Sequence, residues 1–112
     1  MNRTAYPVHN FLIVIYNFEW DPTKAKQNQK KHRVRFEQAS EIFLDPLAIS
    51  IYDEDHSADE NRWITLGKDR AGKFLVAIHT FLEKSEDVCI IRMISARKAT
   101  RKEIKQYEGD KP

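Results

Sequence analysis

The stretch "FLVAIHTFLEKSEDVCIIRMIS", residues 74–95, holds two nearly continuous apolar runs, FLVAIHTFL and VCIIRMIS, separated by the five polar residues EKSED. Continuous rather than alternating apolar character marks strands covered on both faces, and a five-residue polar link has the length of a hairpin. The spacing predicts two antiparallel strands in the middle of a sheet.

Working outward, RWITLG (62–67) reads as the preceding strand, joined to the first of the pair by a KDRAGK turn punctuated by Gly67 and Gly72. LAISIY (47–52) alternates as another strand, and the acidic DEDHSADE forms the loop between them. Upstream, FEQASEIF places Phe36, Ala39, Ser40 and Phe43 at helical spacing, ended by Asp45 and Pro46. DPTKAKQNQKKH gives a helix from Pro22 to about His32, with Asp21 as N-cap and Pro22 at the first helical position. Its face of Ala25, Asn28 and His32 offers little to bury, so it is expected on the surface. FLIVIYNFEW (11–20) reads as a strand after a loose lead-in.

Downstream of the pair, Thr100 and Glu103 form a capping box that starts a last helix, anchored by Ile104 and Tyr107. The expected fold class is α+β: an antiparallel twisted sheet with two N-terminal helices and a C-terminal helix, all on one side. Residues 18–112 read as a single domain, and residues 1–17 as an N-terminal extension or an extra strand.

A chain of 112 residues is long enough for one core. The lone Cys89 lies in an apolar run, and neither a secretory leader nor a membrane span is legible, so a reducing, cytoplasmic setting is expected. His9, His32, His56 and His79 have no paired metal-ligand spacing, so neither metal nor cofactor is expected.

The net charge of +2 conceals a segregation. Residues 21–39 carry +4, residues 41–60 carry −7, residues 62–79 carry +3 and residues 92–112 carry +4. Separate basic surfaces suit a polyanion. Arg101 and Lys102 fall in the first turn of the last helix, where the macrodipole disfavours cations by roughly 0.3–1 kcal/mol each. With Arg97 and Lys98 they are placed to meet a phosphate at that helix start. A solvated basic face is the plain alternative.

On strand alternation Arg92 shares a face with Val88, Ile90 and Ile94, either as a buried ion-pair member or projecting into a polar site. Arg62 heads its strand, and His79 sits late in another. A histidine there is more often a hydrogen-bonded core residue than a catalyst, unless it shares a cleft with Arg92. Trp20 and Trp63 could stack on bases, but more often such residues pack against a sheet.

The ordered motifs FEWDPTKAKQNQKKH (18–32), FEQASEIFLDPLA (36–48), ENRWITLG (60–67), VAIHT (76–80) and IRMISARKATRKEIKQYE (91–108) resemble the BrnT family, toxins of type II toxin–antitoxin systems. The resemblance implies a RelE-like fold and a sequence-tolerant ribonuclease activity that arrests translation. It also implies a DNA-binding antitoxin of the BrnA type, with operator DNA reached only through that antitoxin. Two departures stand out: residues 1–17 exceed the usual family start, and Arg35 stands where a Ser-type helix cap is usual.

Within that resemblance, metal-independent RNA cleavage is expected through attack of the RNA's own 2′-OH on the adjacent phosphate. His79 is the candidate general acid or base; Arg62, Arg92 and Arg97 would hold the phosphate; Lys31, His32, Lys98, Arg101 and Lys102 would contact the RNA backbone. Two rivals keep the basic surface without catalysis: a nucleic-acid-binding module whose basic helix tracks phosphates, and a docking face for an acidic antitoxin segment.

Overall fold

The computed structural model describes residues 14–58 and 60–109. In chain order these form β1 (Ile15–Glu19), α1 (Pro22–His32), α2 (Phe36–Ser40) with a 3₁₀ turn (Glu41–Leu44), and β2 (Ile49–Tyr52) with a second 3₁₀ turn (Glu54–His56). Then come β3 (Trp63–Lys68), β4 (Phe74–His79), β5 (Leu82–Ser85), β6 (Val88–Lys98) and α3 (Arg101–Glu108). Every expected element is present, and β1 runs across position 17. Residues 1–13, which carry the expected lead-in, lie outside the described residues.

The strand order is β1-β6-β4-β3-β2, with β5 also paired to β6. The two apolar runs do sit centrally, but the sheet is mixed rather than wholly antiparallel. β1 runs parallel to β6, pairing Tyr16 with Cys89 and Phe18 with Ile91. The run read as one strand, residues 74–82, divides at Thr80 and Phe81 into β4 and β5, both antiparallel to β6. Glu86 and Asp87 close that hairpin, with Ser85 opposite Val88.

One face carries Leu75, Ala77, Ile91, Met93 and Ala96, which join Val34, Phe36, Ala39 and Ile42 from α2 and its flanks in the core. We call this the helix face. Tyr16, Phe18 and Trp20 close one side of it, with Trp20 edge-on to Phe36 at 5.8 Å. The 3₁₀ turn after α2 comes so near β3 that a Cβ on Gly67 would lie 3.1 Å from the Ile42 Cβ, which is why a glycine stands there.

α1 begins as expected, the Asp21 carboxylate accepting from the Thr23 and Lys24 amides. Arg35 precedes α2 without any side-chain capping bond. α1 docks through the residue that seemed to give it nothing to bury. Asn28 is buried: its side-chain nitrogen donates to the Ala96 carbonyl at 2.8 Å and the Val34 carbonyl at 3.0 Å, and its oxygen accepts the Ala96 amide at 3.0 Å. β1 stops opposite Arg92, so Asn28 takes over the free edge of β6 in place of a strand.

α3 departs from the expected single layer of helices. Tyr107 packs edge-on against Phe74 at 5.2 Å, and Phe74 points opposite to Leu75 and Ala77, so α3 covers the far face of the sheet. Its capping box is complete. Tyr107 also donates to Asp45 at 2.6 Å, and that bond, together with burial, pushes its hydroxyl up to about 12. Among the described residues, no helix is long and apolar enough to cross a membrane.

Replacing Asn28 by Leu strands three buried backbone groups. It is expected to cost about 2–5 kcal/mol, read as a lowered urea midpoint with an unchanged slope. Wild-type stability in Asn28→Leu would remove the amide from this role.

Candidate nucleic-acid interface

β6 carries one residue too many for its partner. His79 pairs with Met93 and Ile78 with Ser95, which leaves Ile94 as a bulge. A bulge reverses the alternation beyond it, and Met93 and Ala96, three apart, accordingly both enter the core. Arg92 and Arg97, which strict alternation would set on opposite faces, therefore share the far face. Arg62 joins them, because Trp63 pairs with His79 on the helix face and its predecessor points the other way.

The three arginines are held by two carboxylates. Glu60 contacts Arg92 directly and lies 3.7 Å from Arg62 Nε, an atom that is buried and has no hydrogen-bond partner. Arg97 grips Glu103 with both guanidinium nitrogens, at 2.8 and 2.9 Å. Glu103 Oε1 also accepts the Thr100 amide at 2.8 Å, so one carboxylate caps α3 and orients Arg97. These bonds, the Arg97 guanidinium first, bring the Glu103 carboxyl down to about 2 against the opposing effect of burial. Arg101 and Lys102 project from the exposed first turn of the same helix. Lys98, opposite Leu75, is turned from Arg97 to the other face.

Lys31 and His32 stand apart from this group. With Lys24 and Gln27 they line a groove of about 260 Å³ beside the bulged edge of β6, at Ile94 and Ser95.

His79 does not share a cleft with Arg92. It faces the helices, is 2% exposed, and lies edge-on to Phe43 at 4.8 Å. Its Nδ1 bonds the Thr80 carbonyl at 2.8 Å, and a carbonyl only accepts, so Nδ1 holds the proton. Nε2 must then accept from the Thr65 hydroxyl, 2.6 Å away, and Thr65 in turn accepts from Ser50 at 2.8 Å. Burial holds the imidazole below its usual range although the Thr80 bond pulls the other way. This is a neutral histidine with both ring nitrogens engaged, the core role that its place in a central strand suggested.

The relay opens into a cavity of about 430 Å³ where the helix layer ends, walled by Tyr16, Phe43, Trp63, His79 and Phe81, with Ser50 and Glu83 as polar lining residues. Trp63 packs edge-on to Tyr52 at 5.3 Å and also lines this cavity. Sequence reasoning missed Asn28, Glu60, Thr65 and Glu83. Only register or the bulge relates them to the residues they serve, although ENRW did put Glu60 beside Arg62. Among the described residues, no three His, Cys, Asp or Glu side chains gather as a metal site needs.

Two pH dependences follow. The unfolded chain protonates His79 near pH 6.5 while the folded chain resists, so this contribution to stability is complete above about pH 6.5 and falls on acidification. His79→Asn should flatten the unfolding midpoint between pH 5 and 7.5 relative to wild type. Glu103 has the carboxylate sign: its contribution is present above about pH 4.5 and lost toward pH 2. Glu103→Gln should cost about 1 kcal/mol at neutral pH, after allowance for solvent screening, and nothing near pH 2. A cost independent of pH would show that the ion pair is not its source.

Among solved structures, the chain is similar to the ribonuclease toxin BrnT of Brucella abortus, seen in a crystal structure at 1.1 Å resolution. The TM-score is 0.54 and the identity 21%, over 79% of this chain and 100% of that one. At that identity the likeness concerns the fold. No curated protein matches. The profile of a family described as "Ribonuclease toxin, BrnT, of type II toxin-antitoxin system" matches residues 20–103, from Trp20 through the capping carboxylate Glu103. On that match, spanning both helix caps and all three arginines, the chain belongs to the BrnT family of ribonuclease toxins.

Proposed function

We propose that this chain is a cytoplasmic, metal-independent endoribonuclease of RelE-like fold whose cleavage of RNA arrests translation. In this reading a DNA-binding antitoxin of the BrnA type neutralises it, and operator DNA is met only through that partner. The observation that carries the reading is that Arg62, Arg92 and Arg97 share the far face of the sheet, with Arg62 and Arg92 joined through Glu60.

The chemistry follows from what guanidiniums do. Attack of the 2′-oxygen forms the O2′–P bond and breaks P–O5′, leaving a cyclic phosphate and a free 5′-hydroxyl. The crowded phosphorane between these states carries extra negative charge, which fixed, permanently charged forks stabilise more than they stabilise the starting diester. Arg62 and Arg92 would receive the phosphate, sharing Glu60, while Arg97, held by Glu103, would meet another phosphate farther along the same face. Arg101 and Lys102 extend the basic track along α3; Lys31, His32 and Lys98 belong to other surfaces and would meet more distant RNA. His79, facing away, does not reach this phosphate. Glu60, the carboxylate in contact with the arginine pair, would accept the 2′-OH proton, and a water molecule would protonate O5′ as P–O5′ breaks, the base giving its proton back to solvent.

Arg62→Ala and Arg92→Ala should each fold and lose about 10²–10³-fold in cleavage of a labelled RNA, the scale of removing one preorganised transition-state donor. Cleavage by the wild type should be unchanged by EDTA. Wild-type rates in both variants would refute the arginine face, and RNA bound but left intact by the wild type would reduce the chain to a binding module.

A further inference from the structure

The cavity on the helix face has no part in holding the phosphate. We propose that it is a nucleobase pocket that takes a guanine from the RNA strand; this rests on the ribonuclease reading above. Its volume of about 430 Å³ holds a nucleoside with room for water, and it falls within the range of small-ligand sites. Its walls are the rings of Tyr16, Phe43, Trp63 and Phe81, and single-stranded RNA is recognised by stacking unpaired bases on such rings and reading their edges.

The polar atoms select among bases. The Thr80 carbonyl fixes the His79 proton on Nδ1, so Thr65 donates to Nε2 and Ser50 donates to Thr65. With its proton committed, the Ser50 oxygen meets the cavity as an acceptor. Glu83, an exposed residue of β5 opposite Cys89, brings a carboxylate to the same space. A site furnished with acceptors requires a ligand edge furnished with donors. Guanine presents adjacent N1–H and N2–H groups; adenine, cytosine and uracil each set an acceptor beside their donor. A carboxylate therefore bonds guanine in bidentate fashion and repels the others.

The pocket and the arginine face are reachable by one strand. Trp63, in the pocket wall, follows Arg62 in the chain, and Phe81 follows Thr80, whose amide bonds the Arg92 carbonyl at 3.0 Å. The two sites thus lie back to back at one end of the sheet. There β3 has ended, and β5 pairs with β6 alone among the described residues. An RNA strand rounding that edge sets a phosphate on one face and a base into the other.

The test is titration of the wild-type protein with guanosine, adenosine, cytidine and uridine, followed by tryptophan fluorescence, with cleavage sites mapped on a mixed-sequence RNA. Guanosine should bind at least about tenfold tighter than the others, the discrimination of one good bidentate contact, and cuts should cluster beside guanines. Glu83→Gln should bring the four affinities to within about threefold of one another and flatten the cut pattern, while Phe81→Ala weakens all four. Equal affinities, or no nucleoside binding, in the wild type overturn the pocket whatever the variants do. Cleavage without nucleoside binding would refute the pocket and leave the ribonuclease reading standing. Guanosine binding without RNA cleavage would refute the ribonuclease reading and retain the guanine site.

Discussion

The hydrogen bonds between the Asn28 side chain and the backbone of Ala96 are the contact on which the rest of this molecule depends. β6 is the longest strand among the described residues, and along its first half β1 and β5 flank it on both sides. Past Arg92 it would present an unpaired edge inside the protein, and a buried amide without a partner is among the costlier defects a fold can carry. A helix cannot pair with a strand through its backbone. One primary amide, offering a donor and an acceptor side by side, imitates the missing strand for one residue. That suffices to let α1 lie across the end of the sheet and bring Val34 and Phe36 over the core.

Charge is organised just as economically. The acidic segment meets the basic ones through Glu60, which pairs with Arg62 and Arg92, while Glu103 pairs with Arg97 inside the last basic segment. Each carboxylate has a second engagement, Glu60 through its second arginine and Glu103 through the helix cap. The arginines are thereby preorganised without being neutralised in depth, since the pairs remain partly exposed. Cations in the first turn of α3 work against the helix dipole, and the Glu103 carboxylate in the same turn offsets them.

The order of elements, the central hairpin, the Asp21 cap and the Thr100–Glu103 capping box were legible because each is written in residues close along the chain. Four features were not. The parallel pairing of β1 needs a partner more than seventy residues away and leaves no local trace. The placement of α3 on the far face depends on Arg97 and Phe74 pointing that way, which pattern alone does not give once the alternation is interrupted. Asn28 read as an absence of apolar surface, whereas its value lies in being polar where a strand edge goes unpaired. His79 was expected as the general acid or base, and its burial away from Arg92 depends on register, as does the chain of hydroxyls that links it to Ser50.

The bulge at Ile94 carries a consequence for comparing such proteins. Five positions separate Arg92 from Arg97, an odd interval that in a regular strand would turn them away from each other. They share a face because one extra residue is absorbed between them. Two sequences could thus match at every arginine with the same spacing and differ only in whether the strand is bulged between them, and the one with a regular strand would have its charge divided between the two faces of the sheet. In this fold the spacing that preserves a working surface counts strand pairs, not residues, and an alignment scored on identities alone would pass over the change that dismantles it.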